Sequence, residues 1–212
     1  MKALARDILS TSLTLLVFAV VAAGLLAGTH GLTRETIEAT ERAARQAFIS
    51  QTLPAGGFDN DLIADARPLP ADTLLGLKRP GQAYLAKKAG APVAVVLEVI
   101  APDGYSGEIR LLVGILADGS VSGVRVTEHR ETPGLGDYID KARGDWIDQF
   151  AGKSLANPPA AAWRVRKDGG RFDYLAGATI TPRAVVKAVR KALEYFAAHR
   201  DTLFATSPKE TP

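Results

Sequence analysis

The feature that most constrains this chain is an uncharged run from Ile8 to Ala27. A helix of that length just crosses a hydrocarbon core of roughly 30 Å, so the run predicts a transmembrane helix at residues 8–27. Lys2 and Arg6 precede the run, whereas acidic and basic residues balance between Thr29 and Gln51. This weak charge bias predicts a cytoplasmic tail at residues 1–7 and the bulk of the chain on the outer side of the membrane.

A cleaved signal peptide is the competing interpretation of the same run. Its apolar region would normally span about 7–15 residues and end at a pair of small residues. Small residues do occur between Ala22 and Gly28, so this alternative stays open, but the length of the run favours an uncleaved anchor. A buried soluble helix is least favoured because Leu, Val and Ala occur on every side of the helix.

Composition narrows the chemistry that the chain could perform. Its formal net charge is only +3, with bases and acids interleaved, so no nucleic-acid partner is predicted. The chain contains no cysteine, which excludes disulfides, thiol catalysis, thiolate-bound zinc and cysteine-bound iron–sulfur clusters. If the protein moves electrons, its redox group must be of another kind.

The pattern after the apolar run predicts an α+β domain in which an antiparallel sheet is packed by helices. A helix is predicted from Leu32 to Gln51, followed by an irregular stretch at residues 58–81 that is rich in Asp, Pro and Gly. Alternating apolar residues and turn signals predict further extended segments. These are strands at 82–87, 93–100, 108–116 and 121–128, and a hairpin that joins 163–167 to 172–175. Ile109, Leu111, Val113 and Ile115 are predicted to share one face of the sheet.

A last helix is predicted from an N-cap at Thr181, with Pro182 at its first position, where the missing N–H costs nothing. An apolar stripe then follows at helical spacing, formed by Val185, Val189, Ala192 and Phe196. The predicted organisation is therefore a helical and irregular connecting region at 28–81, the main domain at 82–204 and a C-terminal tail at 205–212.

Three segments contain residues that could carry chemistry, namely Gly104–Gly107, Glu128–Asp137 and Asp173–Pro182. Taken alone, the glycines of the first two segments are better explained as turns. Gly104–Gly107 does not match a nucleophile elbow, because a strand follows where that motif needs a helix. His129 has no second ligand at metal spacing, so it is interpreted as a polar loop residue and no metal site is predicted.

Thr179 stands just before the last helix, beside the small residues Gly177 and Ala178. The first turn of a helix offers unpaired N–H groups and the positive end of the helix dipole, which together favour a phosphate. Local chemistry alone still favours a simpler interpretation, in which this turn only caps the helix.

Together the three segments make the chain resemble the RnfG/RsxG subunits of Rnf electron-transport complexes. It is more distantly similar to the NqrC subunits of sodium-pumping NADH:quinone reductases. In such proteins a motif D-x-x-[S/T/A]-G-A-T is the substrate of a flavin transferase, which takes FAD and leaves FMN esterified to the last threonine. The resemblance implies covalent FMN on Thr179, with Asp173 as the start of the motif and Ala176 at its variable position.

The resemblance also implies a set of residues near the flavin. Gly177 and Ala178 would give access to Thr179, and Thr181 would face the phosphate. The remaining expected flavin contacts are Glu131, Thr132, Gly134, Leu135 and Gly136, together with Tyr105 and Ser106.

The implied function is that of an electron-transfer subunit in a membrane-bound, ion-translocating ferredoxin/NAD oxidoreductase complex. The implied location is the bacterial inner membrane, with one membrane pass and a periplasmic FMN-binding domain. Expected partners are the other membrane and soluble subunits of an Rnf-type complex, a periplasmic flavin transferase and membrane lipid. Two alternatives remain, namely an anchored binding or assembly module without a redox group, and an anchored hydrolase that uses Glu128, His129 or Glu131.

Overall fold

The structure is a computed structural model that describes residues 2–205, and the side chains from residue 10 onward apart from positions 31 and 35. The predicted tail at 205–212 lies outside the described residues from position 206 on, as does position 1 of the predicted cytoplasmic tail. The chain divides into two compact units, residues 1–45 and residues 46–212.

The first unit consists of most of a long helix, α1 (Lys2–Ser50). This helix runs without a break through Gly24 and Gly28, so the segment predicted from Leu32 onward is its continuation and not a separate helix. Among the described residues, Ser10–Arg34 is the one stretch long and apolar enough to cross a membrane. Its mean hydropathy is 2.1 and none of it is buried, which makes it a candidate membrane span that overlaps the predicted one.

The second unit contains a five-stranded antiparallel sheet whose strands follow one another in chain order. The strands are β1 (Ala66–Leu69), β2 (Gly81–Lys88), β3 (Ala91–Ala101), β4 (Ile109–Leu116) and β5 (Val121–Glu128). The α+β class and the strands β2 to β5 are thereby confirmed. The prediction that residues 58–81 are irregular is wrong at β1, which pairs with β2 from Leu69↔Gly81 to Ala66↔Tyr84. Pro68 weakens the strand pattern in the sequence, but an edge strand tolerates proline.

Both faces of the sheet are covered. Ile109, Leu111, Val113 and Ile115 of β4 lie on one face, as predicted, and are at most 1% exposed. They pack in the same core as the apolar stripe of α2 (Ile180–Phe204), which contains the predicted residues Val185, Val189, Ala192 and Phe196. The other face packs around the end of α1, where Ile49 and Leu62 meet Val96 in a second core cluster. The sheet therefore gives a rigid support for the loops at its edges.

The predicted hairpin between 163–167 and 172–175 is wrong. Val165 and Phe172 form only a single parallel bridge, and a short 3-10 turn occupies Arg166–Asp168. The alternation that suggested a strand arises because Trp163, Val165 and Phe172 are buried in the core and their neighbours are exposed. The ring centroid of Phe172 lies 4.9 Å from those of both Phe150 and Trp163, so an aromatic cluster replaces strand pairing here.

Candidate functional site

The three segments singled out in the sequence meet around one cavity of about 340 Å³. That volume lies at the lower end of the range of about 300–1,000 Å³ typical of small-molecule sites. Nearly all the lining residues belong to the predicted set. They are Tyr105, Glu131, Thr132, Leu135, Gly136, Gly177, Ala178, Thr179, Ile180 and Thr181.

Glu131 joins the three segments to one another. Its side chain is 4% exposed, and its Oε1 accepts a hydrogen bond from the backbone N–H of Ser106 at 3.0 Å. Its Oε2 accepts a hydrogen bond from the hydroxyl of Thr181. A buried carboxylate is costly unless such donors satisfy it, so these two contacts fix how the segments lie against each other.

The segment around Glu131 is shaped by two close approaches. A β-carbon at Gly136 would lie 3.0 Å from Oε2 of Glu131 and 3.1 Å from Oγ1 of Thr181, so only glycine fits there without displacing them. The N–H groups of Leu135 and Gly136 both donate to the carbonyl of Thr132, which closes the turn. Glycine is therefore required at position 136 because Glu131 and Thr181 pack closely against its backbone beside the cavity.

The start of α2 differs from the prediction in one respect. The prediction that Thr181 is the N-cap is wrong, because α2 begins at Ile180 and its N-cap is Thr179. Thr181 lies within the first turn, 1% exposed, with its hydroxyl bound to Glu131. Its hydroxyl donates to Glu131, and the residue also lines the cavity.

Thr179 lines the cavity, is half-buried and makes no side-chain cap hydrogen bond. Among the described residues, its hydroxyl has no hydrogen-bond partner. The amides of Ile180 and Thr181 lie beside it, in the turn where helix geometry leaves N–H groups without intrahelical partners. The site thus combines a free hydroxyl with the positive end of a 25-residue helix.

The segment that leads to Thr179 is held by three side chains from residues 138–149. The hydroxyl of Tyr138 accepts from the N–H of Leu175 at 3.2 Å and donates to the carbonyl of Ala178 at 3.4 Å. Burial raises the pKa of Tyr138, which keeps this phenol protonated and able to donate.

The other two contacts hold the backbone of Asp173. The indole N–H of Trp146 donates to its carbonyl at 2.8 Å, and Oε1 of Gln149 accepts from its N–H at 2.8 Å. Gly177 adopts φ +93°, which favours glycine, and a β-carbon there would meet no atom within 4 Å. Gly177 is therefore needed for the turn itself.

Three predicted site residues do not line the cavity. Asp173 is exposed and its Oδ1 pairs with Nε of Arg166 at 2.8 Å. Ser106 contributes only its N–H to Glu131, and the N–H of Gly134 donates to Oδ1 of Asp137 at 2.8 Å. These residues shape the loops around the cavity without forming its surface.

Sequence reasoning missed Ile180, which lines the cavity, and the trio Tyr138, Trp146 and Gln149. The trio lies in or beside short 3-10 turns, which carry no apolar periodicity. Two aromatic residues within a polar loop, Tyr138 and Trp146, were the one available signal.

The rim of the cavity is apolar. Tyr105, Leu135 and Ile180 are 67%, 48% and 46% exposed, although large apolar side chains outside α1 are mostly buried. No Lys, Arg or His is among the described residues that line the cavity. The arrangement suits a ligand that has a flat apolar part and a single anionic group at the helix terminus.

The roles that a hydrolase would require are not assembled here. Oε2 of Glu128 lies 3.3 Å from Nε of Arg110 in an exposed ion pair. His129 accepts a hydrogen bond at Nδ1 from the N–H of Glu131 at 3.1 Å, and both oxygens of Glu131 are already engaged. None of these contacts favours hydrolysis.

Comparison with known proteins agrees with the geometry. The FMN-binding domain family matches residues 104–194, which include every residue that lines the cavity, and the RnfG N-terminal region matches residues 1–52. Curated relatives, each named as the G component of an ion-translocating oxidoreductase complex, are similar over most of their length. The Pseudomonas aeruginosa (strain UCBPP-PA14) relative is 50% identical over 200 residues, covering 94% of both chains.

Two further relatives carry the same name. The Vibrio cholerae (strain O395) protein is 49% identical over 191 residues, covering 90% of this chain and 91% of its own. The Pseudoalteromonas atlantica protein is 44% identical over 200 residues, covering 94% of this chain and 93% of its own. The chain therefore belongs to the RnfG family, the G components of ion-translocating oxidoreductase complexes.

Proposed function

We propose that this chain is an electron-transfer subunit whose FMN is esterified through its phosphate to Thr179. The observation that carries the proposal is the state of the Thr179 hydroxyl. It lines the cavity at the N-terminus of α2, and no described residue forms a hydrogen bond with it. Family membership supplies the cofactor class, because an FMN-binding domain matches the region that forms the cavity.

In the attachment reaction the Thr179 oxygen displaces AMP from FAD, with a flavin transferase as catalyst. A bond forms between Oγ1 of Thr179 and the phosphorus of the FMN half, and the pyrophosphate bond breaks. The hydroxyl loses its proton and AMP leaves with the bridging oxygen, so no oxidant or reductant is required. A hydroxyl without a competing hydrogen bond is free to act as this nucleophile.

The charge of the resulting phosphodiester fits the site. With no cationic side chain among the described lining residues, its negative charge must be balanced by backbone groups. The first-turn N–H groups of α2 and the helix dipole supply that balance, and each is strongest within the first turn. Because Glu131 already binds Thr181, the carboxylate does not compete for these amides.

The remaining residues position the cofactor. When bound, FMN supplies the electron-transfer chemistry, and the chain sets its place and surroundings. Tyr105, Leu135 and Ile180 offer apolar surface to a flat ring at the rim. A covalent link removes the need for a deep pocket, which agrees with a cavity of only about 340 Å³.

We further propose that Ser10–Arg34 anchors the chain in the bacterial inner membrane as a single pass, with residues 46–204 in the periplasm. The length and hydropathy of that helix and the charges before it support this orientation. Partners would be the other membrane and soluble subunits of an Rnf-type complex that couples ferredoxin and NAD to ion movement, with lipid around the anchor.

Mass spectrometry of the peptide containing Thr179, from protein produced together with the transferase, tests the attachment. Wild type should carry the mass of FMN on Thr179. Thr179→Val should carry none, whereas Thr179→Ser, which keeps a hydroxyl, should retain a measurable fraction. Thr132→Val is the matched control, because this exposed threonine lines the same cavity, and it should be labelled on Thr179. FMN retained by Thr179→Val would refute the proposal.

A further inference from the structure

A loop rich in basic residues stands directly before the segment that ends at Thr179. We call it the basic loop, residues 164–171, and consider it together with Arg183 of α2 and Asp173. Its excess of three positive charges equals the formal net charge of the whole chain, +3. The contributing bases are Arg164, Arg166, Lys167, Arg171 and Arg183, and the two acids are Asp168 and Asp173.

The acids are already neutralised by part of this set. Asp168 accepts a bidentate pair of hydrogen bonds from Arg183, and this contact, with the charges of Lys167 and Arg164, lowers its pKa. Asp173 pairs with Arg166. Lys167 and Arg171 are exposed and form no ion pair with any described residue. Their charges are thus available to an external anionic surface.

Buried side chains and hydrogen bonds hold the backbone of the loop in place. Trp163, Val165 and Phe172 are at most 3% exposed and anchor both ends in the aromatic cluster. Between them, the N–H of Arg166 donates to the carbonyl of Phe172 at 2.7 Å, and the N–H of Phe172 donates to the carbonyl of Arg164 at 3.1 Å. A preorganised loop loses little conformational entropy when a partner docks.

The loop adjoins the segment that leads to Thr179. Phe172 connects the loop directly to Asp173, and Arg166 holds the carboxylate of that residue. A protein that docks on these charges therefore meets the segment from Asp173 to Thr179. The described residues that line the cavity include no cation. A partner that contacted only the flavin ring at the rim would therefore meet no positive charge.

We infer that the basic loop is the docking surface for an acidic face of the flavin transferase, and that it guides that enzyme to Thr179. This inference rests on the proposed attachment of FMN. Opposed charges of this kind raise association rates by about 10- to 1,000-fold, and salt weakens the effect. The loop would therefore act on the rate of loading and leave the final extent of loading unchanged.

The test uses the full-length chain in detergent, produced without the transferase. Purified transferase in limiting amount and FAD are then added, and the initial rate of FMN incorporation is followed by in-gel flavin fluorescence. The comparison is made at salt concentrations of about 0.01 M and about 0.15 M, where the Debye length falls from about 30 Å to about 8 Å.

Lys167→Gln/Arg171→Gln should load about tenfold more slowly than wild type at the lower salt concentration, and the difference should shrink at the higher one. The control Lys78→Gln/Arg79→Gln also removes one Lys and one Arg at exposed positions, and should load like wild type. The charge-conserving exchange Lys167→Arg/Arg171→Lys should restore the rate. Equal thermal unfolding temperatures of these variants show that the fold is intact.

Several outcomes would overturn the inference. Equal initial loading rates for wild type and Lys167→Gln/Arg171→Gln would refute the docking inference. If wild type still carried FMN in that case, the attachment proposal would be unaffected. Equal slowing by Lys78→Gln/Arg79→Gln would show a general charge effect. A defect that disappears at high FAD concentration, with transferase held constant, would assign the loop to the pyrophosphate of FAD and not to a protein. Wild type without FMN would refute the attachment itself.

Discussion

The contact between Glu131 and Thr181 can be measured as a coupling energy. Both side chains are at most 4% exposed, and the hydroxyl of Thr181 donates to Oε2 of Glu131. A hydrogen bond to a charged group contributes about 1.5–3 kcal/mol. Thr181→Val keeps the shape of the side chain and leaves Oε2 without this donor, so it should lower the free energy of unfolding by about that amount.

Glu131→Gln should cost less, because its amide oxygen still accepts from the N–H of Ser106. Its NH2 group then faces Thr181, whose hydroxyl can accept instead of donate. We expect the free energy of unfolding to fall by about 1–2 kcal/mol, because both hydrogen bonds then involve a neutral amide and not a carboxylate. In that background Thr181→Val should cost less than in wild type, which gives a coupling energy of about 1 kcal/mol.

The assay is urea unfolding of the detergent-solubilised chain, followed by tryptophan fluorescence. Trp163 is 3% exposed and reports on the unit that contains the site. Thr132→Val is the matched control, since this threonine lines the same cavity but is exposed, and it should change stability by less than about 0.5 kcal/mol. A coupling energy below about 0.5 kcal/mol would refute the view that Glu131 ties the segments together.

Two further substitutions test the basic loop and the segment before Thr179. Gly170→Ala should lower the free energy of unfolding by about 1–3 kcal/mol in the same urea assay, because a β-carbon there collides with the carbonyl oxygen of Arg164. Gly144→Ala, whose β-carbon would meet no atom within 4 Å, should be close to neutral. Tyr138→Phe should lower the free energy of unfolding by about 1 kcal/mol and reduce the FMN-loaded fraction measured by mass spectrometry, because it removes the hydroxyl that contacts Leu175 and Ala178. Tyr174→Phe is the control: Tyr174 is 38% exposed, and its replacement should change neither quantity. Burial raises the pKa of Tyr138, so on raising the pH the phenol loses its proton in the unfolded state before it does so in the folded state. The free energy of unfolding should therefore fall as the pH rises past the usual pKa of 10.0. If the free energy of unfolding of Tyr138→Phe fell as steeply with pH as that of wild type, this reasoning would be wrong.

The sheet and the cavity could be predicted from sequence to different degrees. Strands β4 and β5 followed from alternating apolar residues, because side chains on a strand point to opposite faces in turn. Strands β2 and β3 followed from the turn-like residues between them. Most residues that line the cavity could be named because they lie within motifs of small and polar residues. In both cases the decisive information is local in the chain.

The errors arose where distant residues decide a local structure. The pair Thr181-Pro182 has the pattern of a cap followed by the first helical residue, yet Glu131, 50 positions away, takes the hydroxyl and the helix starts earlier. The contacts of Tyr138 with Leu175 and Ala178 likewise join segments nearly 40 residues apart. Neither the 3-10 turns nor these contacts leave a periodic pattern in the sequence.

The three side chains that hold the segment before Thr179 bear on the order of events in maturation. Tyr138, Trp146 and Gln149 reach Leu175 and Asp173 only when the loop after β5 has packed against the core. An unfolded chain has the same sequence, but the turn before Thr179 is not formed in it. We therefore expect a transferase that recognises the native turn to modify folded chains and to pass over unfolded ones, so that bound flavin would mark the protein molecules that are fit for assembly.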